Sequence, residues 1–149
     1  MLWNDVSRLF EVDGSLRDIL IFGTTVSDWD TLIQLALRLG KVSFELDSER
    51  AELPSSVKNV FAQTEHARCM KIDLGGPFVN THFFSADEIE LDLDPREINS
   101  QTDLDAVLGF CAQLGSELER DVVITEENTP EAVLLRYSSR MNRWEIIAH

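Results

Sequence analysis

The sequence predicts an α+β protein: two layers, with two main helices packed on one mixed, mostly antiparallel sheet. Three observations predict it. Two capped amphipathic segments, 27–40 and 102–115, recur at matching positions. Short apolar or alternating runs precede and follow each of them. The last stretch, 121–148, reads as three short strands separated by turn residues. At 149 residues the chain is expected to form one domain. A chain of that size buries roughly 68–70% of its unfolded surface, enough for a core without disulfide or metal.

The elements follow in order. Residues 18–25 form a short apolar run and read as a buried strand. Helix one follows, with Ser27 as its expected cap and Asp30 in the capping-box position. Asp28 there is favoured by the helix dipole. Trp29, Leu32, Ile33 and Ala36 share a face, and Gly40 stops the helix. Residues 41–47 alternate, with Val42, Phe44 and Leu46 on one side, as a half-buried strand does. Residues 53–67 read as a short helix with Pro54 before or in its first turn. Residues 68–84 read as a strand, a Gly75-Gly76-Pro77 turn and a second strand. Residues 86–94 alternate most clearly of all, and Pro95 ends that strand.

Helix two is expected to start at a Thr102 cap with Asp105 three positions on. Leu104, Val107, Leu108, Cys111, Gly115 and Leu118 form its apolar stripe, which places Gly115 inside the helix. Between the two segments Asp28/Asp103, Asp30/Asp105, Leu39/Leu114 and Gly40/Gly115 are identical. Either duplication into half-repeats, 18–84 and 86–149, or convergence on the same capping and periodicity explains this. The aspartates thus have a helix-start explanation before a catalytic one.

Charge sets the partner class. Thirteen Lys and Arg against 27 Asp and Glu give a formal net charge of −14. Nucleic-acid binding draws on cations that displace counterions, so DNA and RNA are disfavoured, as are anionic membranes. A basic protein partner is favoured, because opposite fields raise encounter rates. Solubility alone is the plainer explanation of the same charge. Cys69 and Cys111 form no Cys-x-x-Cys pair, and Cys111 falls on the helix-two stripe. The first eighteen residues lack an uninterrupted apolar core, so no signal peptide is expected. No run of about 18 apolar residues exists, so no spanning helix is expected either. The expected location is a reducing cytoplasm.

The strongest candidate site is the carboxylate ladder Glu88, Glu90, Asp92 and Asp94. A strand sets alternate residues on one face, roughly 6–7 Å apart, so Ile89, Leu91 and Leu93 point inward and the carboxylates outward. Four like charges in a row must be solvated, paired with Lys or Arg on a neighbouring strand, or docked against a cationic partner. The spacing is too wide for a compact calcium cage. Glu126, Glu127 and Glu131 cluster around a turn set by Asn128 and Pro130 and could extend the patch. His82 precedes the ladder and could act as a base beside a carboxylate. His66 and Cys69 have a helical ligand spacing but no second pair, and His149 is terminal. No metal or other cofactor is expected. G-x-S-x-G, Walker A, H-E-x-x-H and G-x-G-x-x-G are all absent. Trp29 reads as core, and Trp144 beside Arg140 and Arg143 as a turn residue or an exposed cation–π tip.

These readings favour an interaction protein that binds a basic partner through Glu88, Glu90, Asp92, Asp94, Glu126 and Glu127. In size and charge the chain resembles the acidic immunity proteins that neutralise bacterial nuclease toxins; the likeness is compositional and covers no motif. Two other readings stand beside it. One is a small-ligand or enzymatic domain using His82 with neighbouring carboxylates. The other is a homo-oligomeric structural domain.

Overall fold

The computed structural model describes residues 1–148; His149 lies outside the described residues. A four-residue helix α1 (Trp3–Val6) and a 3-10 turn (Ser7–Phe10) lead into β1 (Arg17–Phe22). Then come α2 (Val26–Leu39), β2 (Lys41–Leu46), β3 (Glu49–Ala51) and α3 (Val57–Ala62). β4 (Arg68–Asp73), β5 (Phe78–Thr81) and β6 (Glu88–Leu93) follow, with a 3-10 turn (Pro95–Glu97). The chain finishes with α4 (Gln101–Leu118), β7 (Val122–Glu126), β8 (Thr129–Ser138) and β9 (Arg143–Ile146).

All nine strands form one sheet, in the order β3-β2-β4-β5-β6-β1-β7-β8-β9. Every pairing is antiparallel, so the parallel component that the two strand–helix–strand segments suggest never becomes a direct pairing. The reason is topological. β6 and β7 both flank β1, so the α4 crossover spans one strand; the α2 crossover carries the chain from β1 past β6, β5 and β4 to β2.

Both main helices are capped by residues two places earlier than the sequence suggests. Thr25 caps α2: its hydroxyl accepts the Asp28 N–H at 3.3 Å, and the Asp28 carboxylate accepts the Thr25 N–H at 3.0 Å. Ser100 caps α4 by accepting the Asp103 N–H at 3.2 Å. Ser27 and Thr102 therefore sit in first turns. Asp30, freed from capping, accepts the Val57 N–H of α3 at 3.3 Å. α3 is shorter than expected and capped by Ser56, with Pro54 outside it. β3 is an addition: its three residues give too short an alternation to announce a strand.

The core lies between the helices and one face of the sheet. Ile19 and Ile21 of β1, Ile89, Leu91 and Leu93 of β6, and Val122 and Ile124 of β7 are fully buried there. So are Trp29, Leu32 and Leu35 of α2, and Cys111 and Leu114 of α4. Trp29 stacks on Phe83 at 5.2 Å and meets Phe61 edge-on at 5.2 Å. Both recurring glycines mark close approaches. A Cβ on Gly40 would lie 2.7 Å from the Asp73 carbonyl; one on Gly115 would lie 2.8 Å from Val122 Cγ2 and 2.9 Å from Tyr137 Cδ1. Gly115 lies inside α4, and Leu114 and Gly115 are both buried.

Trp144 packs inward against Tyr137, ring centres 5.6 Å apart, and is not an exposed cation–π tip. None of the described helices is long and apolar enough to cross a membrane.

Candidate functional site

The strict alternation of β6 fixes the geometry. Its residues are alternately half-buried and buried, so Glu88, Glu90 and Asp92 stand on the face away from the helices. The register extends that face across neighbouring strands. Phe22 lies opposite Glu88, Leu20 opposite Glu90 and Asp18 opposite Asp92 on β1; Asn80 of β5 lies opposite Asp92 on the other side. Lys71 of β4 is opposite Asn80, and Ser43 and Glu45 of β2 are opposite Lys71 and Cys69.

The ladder divides according to its partners. Asp94 leaves it: just past the strand end, its carboxylate caps the 3-10 turn and holds Arg96 through Nη2 at 2.7 Å. That pairing, led by the Arg96 hydrogen bond, keeps the Asp94 carboxyl below the ordinary carboxylate range. Asp92 faces His82 Nε2 at 3.4 Å and accepts from Asn80 Nδ2 at 3.3 Å. Glu88 and Glu90 have no Lys or Arg within ion-pair distance among the described residues.

Asp18 adds a carboxylate that the apolar run 18–25 gave no reason to expect at a site. It is only 6% exposed and accepts the Asn128 N–H at 2.8 Å. Burial pushes its carboxyl upward; the Asn128 bond opposes this, and the charges of Asp92 and Glu127 add to it. Glu90 is raised in the same way, by burial first and then by Asp18, Glu88 and Asp92, with His82 opposing. Burial leads both shifts, and neighbouring like charge adds to each.

The turn carboxylates separate. Glu127 accepts the Leu16 N–H at 2.8 Å and borders Asp18, so it joins the cluster. Glu126 lies opposite Arg17 on β1, and Arg17 is also opposite the core residue Leu93. Glu126 therefore belongs to the other side of the sheet. A bulge at Thr125–Glu126 accompanies this break.

His82 leaves the sheet just after β5. Phe83 has φ +56° and is fully buried, and Phe84 is 71% exposed and stacks on the His82 ring at 5.4 Å. The expected continuation of the strand through Phe84 thus fails at a left-handed turn, which drives Phe83 into the core and leaves His82 on the open face. Hydrogen bonding of His82 to the Asp92 carboxylate, followed by that with Cys69, pushes the imidazole up to about 10. A raised value favours the protonated imidazole beside Asp92. His66, placed beside Cys69 by sequence spacing, instead meets Asp47 through Nδ1 at 2.6 Å.

The contact with Cys69 was legible only through hairpin register. Met70 with Thr81 is the outermost pair of β4 and β5, and Cys69 and His82 are the residues next beyond it on each chain segment. The signal was the Gly75-Gly76-Pro77 turn, about which residues 69 and 82 are symmetrically placed. Beside them a shallow hollow of about 310 Å³ is lined by Leu16, Lys71, Phe78, Asn80, Asp92, Asp94 and Glu97; His82 does not line it. No group of three or more His, Cys, Asp and Glu among the described residues has a metal-binding arrangement. Compared with protein-family models, curated proteins and solved structures, the chain matches none.

Proposed function

We propose that the protein is an interaction protein whose helix-free sheet face docks a basic protein partner. The observation that supports this is the unrelieved crowding around Glu90. Burial raises its carboxyl first, the charges of Asp18, Glu88 and Asp92 add to that, and His82 opposes them. A Lys or Arg brought against Glu88 and Glu90 would relieve that repulsion, so this region gains more from a cationic partner than an evenly charged surface would. Phe22, 52% exposed and directly opposite Glu88, and Phe84, 71% exposed, flank the carboxylates. Aromatic side chains beside charge are the usual makings of an interface centre. The formal charge of −14 adds long-range attraction for the same class of partner. A basic nuclease or other toxin held this way would be inhibited if its cationic substrate-binding surface were the part covered.

Glu88 and Glu90 are the residues to reverse, because neither holds up the fold through an ion pair. The experiment is a calorimetric and NMR titration of the full chain with a Lys/Arg-rich peptide, beside a neutral peptide of equal length. Amide shifts are expected to cluster at Phe22, Glu88 and Glu90. Affinity should fall steeply between low and physiological salt, and Glu88→Lys with Glu90→Lys should weaken binding at least about tenfold. Equal binding by the double variant, or binding indifferent to salt, would remove this face as the interface.

A further inference from the structure

We propose that the outer edge of β9 pairs antiparallel with the same edge of a second copy of this chain, in the one register that sets Arg143 of each copy opposite Glu145 of the other. β9 ends the sheet, with β8 as its neighbour. The Ile147 N–H bonds to the Leu134 carbonyl at 2.9 Å. From there the register runs through Glu145 opposite Arg136 to Arg143 opposite Ser138. Residues of an antiparallel strand bond to one neighbour and to the other by turns. Arg143, Glu145 and Ile147 therefore bond to β8, and Trp144 and Ile146 turn their N–H and C=O groups outward. No other described residue bonds to those four groups. Such an edge is a template for a further strand.

Charge selects both the occupant and the register. Trp144 is opposite Tyr137 and Ile146 opposite Leu135, both core residues, so Arg143 and Glu145 stand on the open face. A two-fold axis at Trp144 joins the two Trp144 residues as a hydrogen-bonded pair. It also sets Arg143 opposite Glu145 twice, at the closer, non-bonded positions. An axis at Arg143 or at Glu145 would set like charges face to face, which is destabilising; an axis at Ile146 forfeits both ion pairs. The edge is thus its own complement, which fits a second copy better than an unlike strand. Within one chain Arg143 Nη2 lies 3.6 Å from Glu145 Oε1 at exposed positions, so little is lost by turning both toward a second copy. The formal charge of −14 opposes self-association elsewhere, but residues 132–148 carry Arg136, Arg140 and Arg143 against Glu145 alone. Four residues make a small interface, which belongs with transient contacts of under roughly 1,200 Å². The opposite edge, β3, offers only three residues. β1, β7 and β8 separate β9 from the carboxylates of β6, so the inference stands apart from the proposed docking face.

The test is sedimentation equilibrium of the full chain from micromolar to millimolar concentration. The wild type is expected to pass from monomer to dimer, and the Trp144 and Ile146 amides to gain protection from exchange as it does. Arg143→Glu and Glu145→Arg each set like charges opposite one another and should weaken the dimer at least about tenfold. The chain carrying both substitutions restores opposite charges and should recover wild-type association. Ile146→Pro removes an outward N–H, which a sheet edge tolerates, and should abolish the dimer. Should Ile146→Pro lose the native circular dichroism, the charge variants alone decide. The proposal is overturned if the wild type stays monomeric to millimolar concentration. It is equally overturned if either single charge variant dimerises as well as the wild type, or if the double swap recovers nothing.

Discussion

Phe83 shows how one residue can set up a surface. A positive φ is rare for a bulky side chain, yet it turns the chain so that successive residues serve different purposes. Phe83 fills the aromatic core with Trp29 and Phe61, and His82 stays outside to meet Asp92. That pair has a pH signature. The folded-state value of His82, about 10, lies above the ordinary 6.5. A raised value stabilises the fold fully below the ordinary one; the contribution declines as pH rises and is gone above the folded-state one. Urea unfolding of wild type and His82→Gln should therefore differ most near pH 6.5 and converge near pH 10. The pair is half-exposed, so solvent screening keeps the gap modest. A difference that stays constant over this range would mean that His82 contributes by packing alone. At this scale the sequence was legible wherever one strand's alternation sufficed, as for Glu88, Glu90 and Asp92. It was silent on Asp18, Cys69 and the Asp94–Arg96 pair, whose roles depend on neighbouring strands or on a turn just past the strand end.

The two long helices show what periodicity can and cannot deliver. Their existence, their buried stripes and the placement of Gly115 inside the second were all readable from spacing. Their starts were not, because Ser27 and Thr102 are as good capping residues as Thr25 and Ser100. The choice fell to where β1 and the turn after β6 release the chain. The matched glycines have a shared physical cause: each lies where a helix runs against strand backbone or side chains. Gly115→Ala should cost about 1–3 kcal/mol, since the added methyl group meets Val122, the Arg120 carbonyl and Tyr137 at 2.8–2.9 Å. Gly109→Ala in the same helix meets nothing within 4 Å and should stabilise by up to about 1 kcal/mol. Chemical denaturation of both variants would check the contrast. Equal effects would show that the Gly115 site relaxes around the methyl group.

For the whole molecule, the one-sheet, two-layer arrangement was expected, and the order of its strands was not. Local patterns say which residues face inward; they do not say that α2 carries the chain over three strands and α4 over one. That ordering is what brings Asp18, Glu90 and Asp92 together from distant parts of the chain. It also leaves a weak line in the sheet. β5 and β6 share a single paired position, Asn80 with Asp92, whereas β1 and β6 share six. Beyond that pair the two sides are joined by the helical layer and by side-chain bonds such as Asn80 and His82 to Asp92 and the Phe78 N–H to Glu97. Amide hydrogen exchange should accordingly resolve two cooperative blocks, residues 41–81 opening before the β6-β1-β7-β8 block. A single rate across all strands would show that the sheet opens as one.

The lone Asn80–Asp92 junction makes the sheet resemble two shutters on a common hinge, with α2 as the strap across them. Anything gripping the carboxylates on one shutter would feel the other swing, and a slackened strap would blur the surface without unfolding either half.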